Sequence, residues 1–220
     1  IIMSYPYTKN FTPENKSKLI KFLRDQTTAE WGGTRLYDGT NSHLQQNPYE
    51  LVDCIDEIIK HESSTKQNIE NFLEIGFHAG YTNTILNKIF NFKNIVAVDT
   101  FQEFVDGNSL RANHRFKNLI LVCGNSTANR TIEIAKTFSK YDLILIDGDH
   151  SYEIVKQDFE NYKNLLSKNG IILLHDVKSN SFPGVTKLWN EIENSNDYKT
   201  KTIFYDDYPI KAGIGMTYNK

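Results

Sequence analysis

From residue 71 onward, short apolar runs alternate with amphipathic stretches, and this alternation constrains the fold more than any other feature of the sequence. The runs are apolar almost without interruption, as expected for parallel strands that are covered on both faces. The pattern predicts a doubly wound α/β sheet with right-handed crossovers. The runs are 71–75, 94–99, 118–122, 142–147 and 170–175, and helices are expected near 81–90, 127–139 and 151–167.

Two further strand-like runs, 201–205 and 213–218, follow a predicted helix near 185–192. The turn-forming sequence DDYP at 206–209 separates these runs, so we expect them to pair as an antiparallel hairpin at the edge of the sheet. The complete prediction is a Rossmann-like seven-stranded sheet, mostly parallel with a C-terminal antiparallel β-hairpin, with helices on both faces.

The N-terminal part of the chain has a different pattern. Residues 12–30 and the segment that begins at Pro48 both show apolar residues at helical spacing, and the polar, glycine-containing segment 31–47 between them is expected to be an ordered loop. We therefore predict a helical extension, or cap, at residues 1–65 that packs on the α/β domain at residues 66–220, within a single globular unit.

Composition excludes several classes of function. With 25 basic and 27 acidic side chains the net charge is −2, so a broad basic surface for nucleic acid is not expected. No apolar run approaches the roughly 20 residues that span a bilayer, and the first ten residues do not resemble a signal peptide. The two cysteines, Cys54 and Cys123, are too few for a disulfide framework and are expected as small buried side chains in a cytoplasmic protein.

Candidate cofactor-binding residues follow the first two runs. Ligands of an open α/β sheet bind beyond the carboxyl ends of its strands. Glu74, Gly76 and Gly80 lie at the first such end, where glycines allow a sharp turn and a close approach to a ligand. Asp99 ends the second run and is placed to accept hydrogen bonds from a ribose hydroxyl pair. Together they predict a nucleoside-bearing cofactor, although the glycines alone are equally consistent with a plain strand–helix turn.

The turn reads G-F-H-A-G rather than the G-x-G-x-x-G of dinucleotide-binding proteins. An acidic residue beside the turn, Glu74, disfavours a pyrophosphate and suits a cationic, zwitterionic ligand.

These residues resemble the class I S-adenosylmethionine-dependent methyltransferases. The sequence Glu74-x-Gly76-x-x-x-Gly80 is similar to the first motif of that family, and Asp99 is similar to the acidic residue that holds the ribose. After the third run, Asn125 stands where the family usually has the aspartate that contacts the adenine. The resemblance implies S-adenosylmethionine as the cofactor, bound by Glu74, Gly76, Gly80, Asp99, Asn125 and Ser126.

Acidic residues and imidazoles end the fourth and fifth runs and should meet at the same rim of the sheet. Asp147 and His150 belong to the sequence DGDH, and His175 precedes Asp176. Asp147, His175 and Asp176 can converge on one divalent cation, for which oxygen ligands suit Mg²⁺, Ca²⁺ or Mn²⁺ and an imidazole shifts the preference toward Mn²⁺. Such an ion lowers the pKa of a bound hydroxyl group, and His150 is suited to take its proton.

Simpler interpretations of the same residues stay open. Asp149 or Ser151 is equally consistent with a cap of the following helix. His175 is also consistent with a hydrogen-bonded histidine of the core.

The stretch LILIDGDHSYE, with the later NGIILLHDV, is similar to a branch that includes the macrolide-sugar and aminocoumarin O-methyltransferases and the cephalosporin hydroxylase-like proteins. That resemblance implies metal ligands at Asp147, His175 and Asp176 and a general base at His150, although His175 stands where an acidic residue is often found. It also implies a homo-oligomer and a metal-assisted O-methylation of a small hydroxylated molecule, a sugar or a natural product.

Two alternatives remain: a nicotinamide-dependent oxidoreductase on a related sheet, and a non-catalytic module that binds S-adenosylmethionine. Residues 104–116 are expected to form part of a lid over the acceptor site. The rim carries Glu74, Asp99, Asp147 and Asp176, so we expect a locally negative cleft that suits a sulfonium cofactor and a metal ion better than a nucleic acid.

Overall fold

A computed structural model describes residues 7–25, 33–35, 41–43, 46–78, 80–102, 117–138, 140–208 and 211–219. The expected lid at 104–116 lies outside the described residues. None of the helices in the described part of the chain combines the length and apolar character that crossing a membrane requires.

The described elements follow the expected alternation. The strands are β1 (Gly33–Arg35), β2 (Asn41–His43), β3 (Asn71–Ile75), β4 (Asn94–Asp99), β5 (Leu119–Cys123), β6 (Tyr141–Ile146), β7 (Leu166–His175), β8 (Tyr198–Ile203) and β9 (Ile214–Asn219). The α-helices are α1 (Pro13–Asp25), α2 (Pro48–Thr65), α3 (Tyr81–Phe90), α4 (Asn129–Thr137), α5 (Tyr152–Tyr162) and α6 (Pro183–Asn194), and a 3₁₀ turn, Lys163–Leu165, follows α5.

Seven strands form one sheet in the order β5-β4-β3-β6-β7-β9-β8. The pairs from β5 to β7 are parallel, whereas β9 is antiparallel to both β7 and β8. The predicted seven-stranded, mostly parallel sheet with a C-terminal hairpin is therefore confirmed. Because the chain leaves β3 in one direction and later returns to its other side with β6, a ligand crevice is expected where the carboxyl ends of these two strands meet.

The core has two layers, one on each face of the sheet. Successive side chains of a strand point to opposite faces, so Phe72 of β3 packs in one layer and Leu73 in the other. The layer around Phe72 contains apolar residues of α1, α2 and α3, including Leu19 and Ile55. The layer around Leu73 contains apolar residues of α4, α5 and α6. The N-terminal helices thus cover the same face of the sheet as α3.

Some element bounds differ from those expected. β7 begins at Leu166 rather than at residue 170, because Leu166 pairs with Tyr141 before an irregularity in the ladder. β8 begins at Tyr198 and alternates exposed with partly buried residues, as an edge strand does, so a search for continuous apolar runs misses its start. The predicted loop 31–47 contains the antiparallel pair β1 and β2.

The expectation that both cysteines are buried is wrong for one of them. Cys54 of α2 is buried, but Cys123 is exposed. Cys123 is the last residue of β5, which is an edge strand of the sheet, so no strand among the described residues covers it on its outer side.

Close packing of β9 on α6 predicts a stability effect. A Cβ atom at Gly215 would lie 2.6 Å from the indole of Trp189, which is fully buried. We expect Gly215→Ala to lower the free energy of unfolding by about 1–3 kcal/mol through overpacking, as measured by urea denaturation. Gly148→Ala is the control, since its Cβ would meet its nearest neighbour at 3.4 Å. A Gly215→Ala protein as stable as the wild type would contradict this packing.

Candidate active site

The turn that follows β3 lies directly against the turn that follows β6. Gly76 has a left-handed backbone (φ 91°), and a Cβ atom there would lie 2.0 Å from the carbonyl oxygen of Asp147. The backbone N–H of Asp147 donates to Ile75, and that of Gly76 donates to Val98, so both turns continue the strand pairing. Only glycine fits at position 76, and the first predicted cofactor turn therefore contacts the first predicted metal ligand.

The second glycine of the motif is explained by packing inside the same turn. Gly80 also has a left-handed backbone (φ 73°) and precedes α3. A Cβ atom there would lie 2.2 Å from the ring of Phe77, which is buried. Gly80 is thus required by the conformation of the turn and by a neighbouring aromatic ring of the protein.

Asp99 holds the backbone of two loops. Its Oδ2 accepts from the N–H of His78 and its Oδ1 accepts from the N–H of Phe101, both at 2.7 Å. His78 and Phe101 each have a left-handed backbone, with φ of 49° and 54°, which is unfavourable for residues other than glycine. The carboxylate compensates this strain, and each of its oxygens keeps a further lone pair for a hydroxyl donor.

Glu74 is buried rather than facing the rim as a free charge. It is 1% exposed, and its Oε2 accepts from Nδ2 of Asn83 at 2.8 Å. Burial raises the pKa of Glu74 well above its usual value; the Asn83 hydrogen bond opposes the rise, and the charges of Asp147 and Asp99 add to it. Glu74 therefore keeps its proton to a higher pH than an exposed glutamate does.

The side chain of Asn125 forms hydrogen bonds within the loop after β5. Asn125 is exposed, and its Oδ1 accepts from both the N–H and the hydroxyl of Thr127, at 2.9 and 2.8 Å. A carbonyl oxygen has two lone pairs, so this oxygen has no capacity left for the amino group of an adenine. The backbone carbonyl of Ser126 accepts from the hydroxyl of Tyr162, which fixes the loop to α5.

Sequence reasoning missed Asp158, which lies beneath this loop on α5. Asp158 is fully buried, and neither oxygen of its carboxyl group has a hydrogen-bond partner among the described residues. Burial raises its pKa to about 7; the nearby Ser126 side chain lowers it and the charge of Asp149 raises it. The signal was available in the sequence, since Asp158 stands on the apolar face of α5 beside Phe159.

Because Asp158 is buried and its pKa is raised, we expect the stability of the protein to depend on pH. Its pKa is about 7 in the folded protein against an ordinary value of 3.8. Between these values the folded protein keeps a proton that the unfolded chain has lost, so stability falls as the pH rises through this window. We expect the stability of Asp158→Asn relative to wild type to rise by about 4 kcal/mol from pH 4 to pH 8, measured by urea unfolding. Glu153→Gln, an exposed acid of the same helix, is the control. A constant difference at both pH values would refute the burial of an ionisable Asp158.

Two carboxylates and two imidazoles form a cluster at the carboxyl ends of β6 and β7. Nδ1 of His175 lies 3.1 Å from both Asp147 Oδ1 and Asp176 Oδ2. Nε2 of His150 lies 3.1 Å from Asp176 Oδ2 and 3.9 Å from Asp147 Oδ1. Asp176 has a left-handed backbone (φ 62°), which is costly for an aspartate. Its conformation aims the carboxylate at both imidazoles.

Neighbouring groups of this cluster shift the pKa values of both imidazoles and of Asp176. Burial lowers the pKa of His175, but Asp147 and Asp176 outweigh it and raise that pKa well above its usual value. Burial likewise lowers the pKa of His150, and these two carboxylates raise it overall. Burial raises the pKa of Asp176, whereas His175 and His150 bring it below its usual range. Each imidazole therefore holds a proton more tightly than a free histidine side chain does.

The same arrangement offers ligands for a cation. One ligand atom each from Asp147, His175 and Asp176 lies within 4.8 Å of the others. These are the three residues that the sequence predicts as metal ligands, and the structure brings them together with His150. The donor set, two carboxylates and an imidazole, is of the kind that binds divalent metals.

Phe182, which sequence reasoning also missed, orients His150. The two rings are stacked, with centroids 3.9 Å apart and an angle of 18° between their planes. The close approach depends on Gly184, where a Cβ atom would lie 2.6 Å from the backbone oxygen of His150. The sequence Phe-Pro-Gly at the start of α6 is the signal, because it marks a helix start that can pack closely on another backbone. His150 is thus held between a phenyl ring and the Asp176 carboxylate.

Neither Asp149 nor Ser151 caps α5 through its side chain. Oδ1 of Asp149 accepts from the N–H of Ser151 at 2.7 Å, which is a turn that leads into α5. Ser151 is the N-cap residue of α5, but its side chain makes no capping hydrogen bond. His175 is buried, and it is also part of the charged cluster.

Comparison with known proteins finds a match to the central part of the chain. Residues 73–177 match the model of a family described as a methyltransferase domain. An uncharacterised protein of Sinorhizobium fredii is 34% identical over 82 residues, a match that covers 36% of this chain and 8% of that protein. The chain thus spans a small part of the length of that relative.

Solved methyltransferases share the fold of most of this chain. An O-methyltransferase from Bacillus cereus, in complex with S-adenosylhomocysteine, has a TM-score of 0.56 and 18% identity, covering 73% of this chain and 78% of its own. The MycE methyltransferase of the mycinamycin biosynthetic pathway, in complex with Mg and S-adenosylhomocysteine, has a TM-score of 0.54 and 13% identity, covering 74% of this chain and 49% of its own. The resemblance to class I methyltransferases is therefore confirmed for the fold.

The matched range contains every predicted site residue. It runs from β3 to the residues just after β7, so both the cofactor turn and the charged cluster lie within it. The helices α1 and α2 and the hairpin of β8 and β9 lie outside that range.

Proposed function

We propose that this chain is an S-adenosylmethionine-dependent methyltransferase that methylates a hydroxyl group of a small molecule, such as a sugar or a natural product, with the help of a divalent metal ion. The observation that carries the proposal is the contact between the cofactor turn and the charged cluster, where Gly76 meets the backbone of Asp147. A methyl donor bound at the turn would then lie beside groups that can bind and deprotonate an acceptor.

The cofactor half of the site rests on Asp99. Its two oxygens are oriented by backbone N–H groups and keep lone pairs for the two ribose hydroxyls. Asn125 would face the adenine with its amide NH₂ group, a donor for a ring nitrogen, because its oxygen is engaged with Thr127. Glu74 would support the turn through Asn83 rather than contribute a charge to the ligand.

The acceptor half rests on the charged cluster. Methyl transfer requires an in-line approach of the nucleophile to the methyl carbon, so the protein contributes mainly positioning and removal of a proton. His150 is the candidate base and would act in its neutral form, and Phe182 and Asp176 hold its ring in one orientation. A divalent ion held by Asp147, His175 and Asp176 would lower the pKa of an acceptor hydroxyl.

The three proposed ligands favour Mn²⁺ over Mg²⁺. Magnesium prefers oxygen ligands, and His175 contributes a nitrogen beside the two carboxylates. Mixed imidazole and carboxylate ligands suit Mn²⁺ and related transition metals better. We therefore propose Mn²⁺ as the preferred ion, with Mg²⁺ as the weaker alternative.

The cofactor half is tested by Asp99→Ala. Hydrogen bonds to a charged group contribute about 1.5–3 kcal/mol, so the variant should bind S-adenosylhomocysteine at least about tenfold more weakly by isothermal titration calorimetry. Asp149→Asn is the control, because it changes an acid of the same rim that holds only its own turn. NADH titrated into the wild type should show no binding. Unchanged affinity in Asp99→Ala, or tight binding of NADH, would contradict the proposed cofactor.

The metal dependence is tested with a panel of hydroxylated acceptors, screened first by thermal shift together with S-adenosylmethionine and divalent metals. We expect excess EDTA to abolish methyl transfer and Mn²⁺ to restore it more fully than Mg²⁺. Asp147→Asn should lose the response to Mn²⁺ and keep its affinity for S-adenosylhomocysteine. Full turnover in excess chelator would remove the metal from the proposal, and cofactor binding without methylation of any acceptor would favour a non-catalytic module.

A further inference from the structure

A residue from outside the matched methyltransferase domain reaches the charged cluster. Gln46 precedes α2, and its Nε2 donates to Oδ2 of Asp147 at 2.8 Å. Gln46 is 6% exposed, so this bond is shielded from solvent. It joins two residues that are 101 positions apart in the chain.

The two oxygens of the Asp147 carboxylate have different partners. Oδ2 accepts from Gln46, whereas Oδ1 faces Nδ1 of His175 at 3.1 Å and Nε2 of His150 at 3.9 Å. A carboxylate held by one oxygen presents the other in a defined direction. The amide is also neutral, so it orients Asp147 without placing a positive charge beside the cation site, as a lysine or an arginine would.

The backbone around Gln46 is itself fixed at the start of α2. Asn47 is the N-cap, and its Oδ1 accepts from the N–H of Tyr49, while Pro48 occupies the first turn of the helix. Proline at this position has its backbone angle already set for the helix. The side chain of Gln46 therefore leaves a rigid helix start rather than a loop.

A buried glutamate connects the start of α2 to the segment between β8 and β9 by hydrogen bonds. Glu50 is fully buried, and its oxygens accept from the backbone N–H groups of Tyr205 and Gly213, each at 2.9 Å. Gly213 in turn accepts from the N–H of Val177, the residue that follows Asp176. The segments that carry Gln46 and Asp176 are thus connected through the residues between β8 and β9.

We propose that Gln46 is a positioning residue for Asp147, which holds Oδ2 so that Oδ1 points at the cation site. This inference rests on the proposed function, because it takes the charged cluster to be that site. Partners that orient a metal-binding carboxylate typically change metal affinity by 10–100-fold when they are removed. The N-terminal segment would then supply part of the reactive centre and not just a cover for the sheet.

The test compares Mn²⁺ binding to the full chain before and after Gln46→Met, which keeps the length of the side chain and removes its donor. We expect isothermal titration calorimetry to show about tenfold weaker Mn²⁺ binding, and the electron paramagnetic resonance spectrum of the bound ion to change as Asp147 reorients. Affinity for S-adenosylhomocysteine should stay at the wild-type value, which a general loss of structure would not allow. Gln46→Ala repeats the test if methionine impairs folding.

The control is the same substitution at another glutamine–aspartate bond. Gln67 donates to Oδ1 of Asp142 at 3.0 Å, near the start of β6 and so at the opposite end of that strand from Asp147. Gln67→Met should leave Mn²⁺ affinity and the spectrum unchanged. Wild-type affinity and spectrum in Gln46→Met would overturn the role of Gln46 while leaving the metal site in place. A wild-type chain that binds no Mn²⁺ would overturn the metal site itself, and the inference with it.

Discussion

The parallel pairing of β3 with β6 is the constraint on which the rest of the site depends. These strands are neighbours in the sheet although residues 76–140 separate them in the chain. Their register brings the end of β3 beside the end of β6, and the turns that follow touch where Gly76 lies against the Asp147 carbonyl. This backbone contact between the two turns places the proposed cofactor site beside the proposed reactive centre. Any larger residue at position 76 would separate them.

Burial affects the pKa values of the acidic residues at this rim, so their number alone does not describe its charge. Burial favours the protonated form of Glu74, which is one of the four acidic residues from which a locally negative cleft is expected. Asp147 and Asp176 are balanced by two imidazoles within hydrogen-bond or ion-pair distance. Buried charges persist only when they are paired, and a divalent cation would serve the same purpose for these carboxylates.

Several features were accessible from the sequence because they depend on local patterns. The apolar runs of β3 and β4 have the predicted bounds, since buried parallel strands are recognised by their continuity. The start of the edge strand β8 was misplaced because exposed residues alternate with partly buried ones along it. Phe182 was missed because its importance comes from stacking on the His150 ring. Asp158 stands on the apolar face of α5, but only the structure shows that its carboxyl group has no hydrogen-bond partner among the described residues.

The sequence by itself determined the order of the elements, the position of the glycine turn and the presence of acids and imidazoles at the strand ends, because each of these follows from residues close together in the chain. The tertiary structure decided which of these groups are buried and which of them meet. Burial of Glu74 follows from the packing of α3 on the sheet. The bond from Gln46 to Asp147 spans 101 positions, and no local pattern encodes the distance between two side chains so far apart.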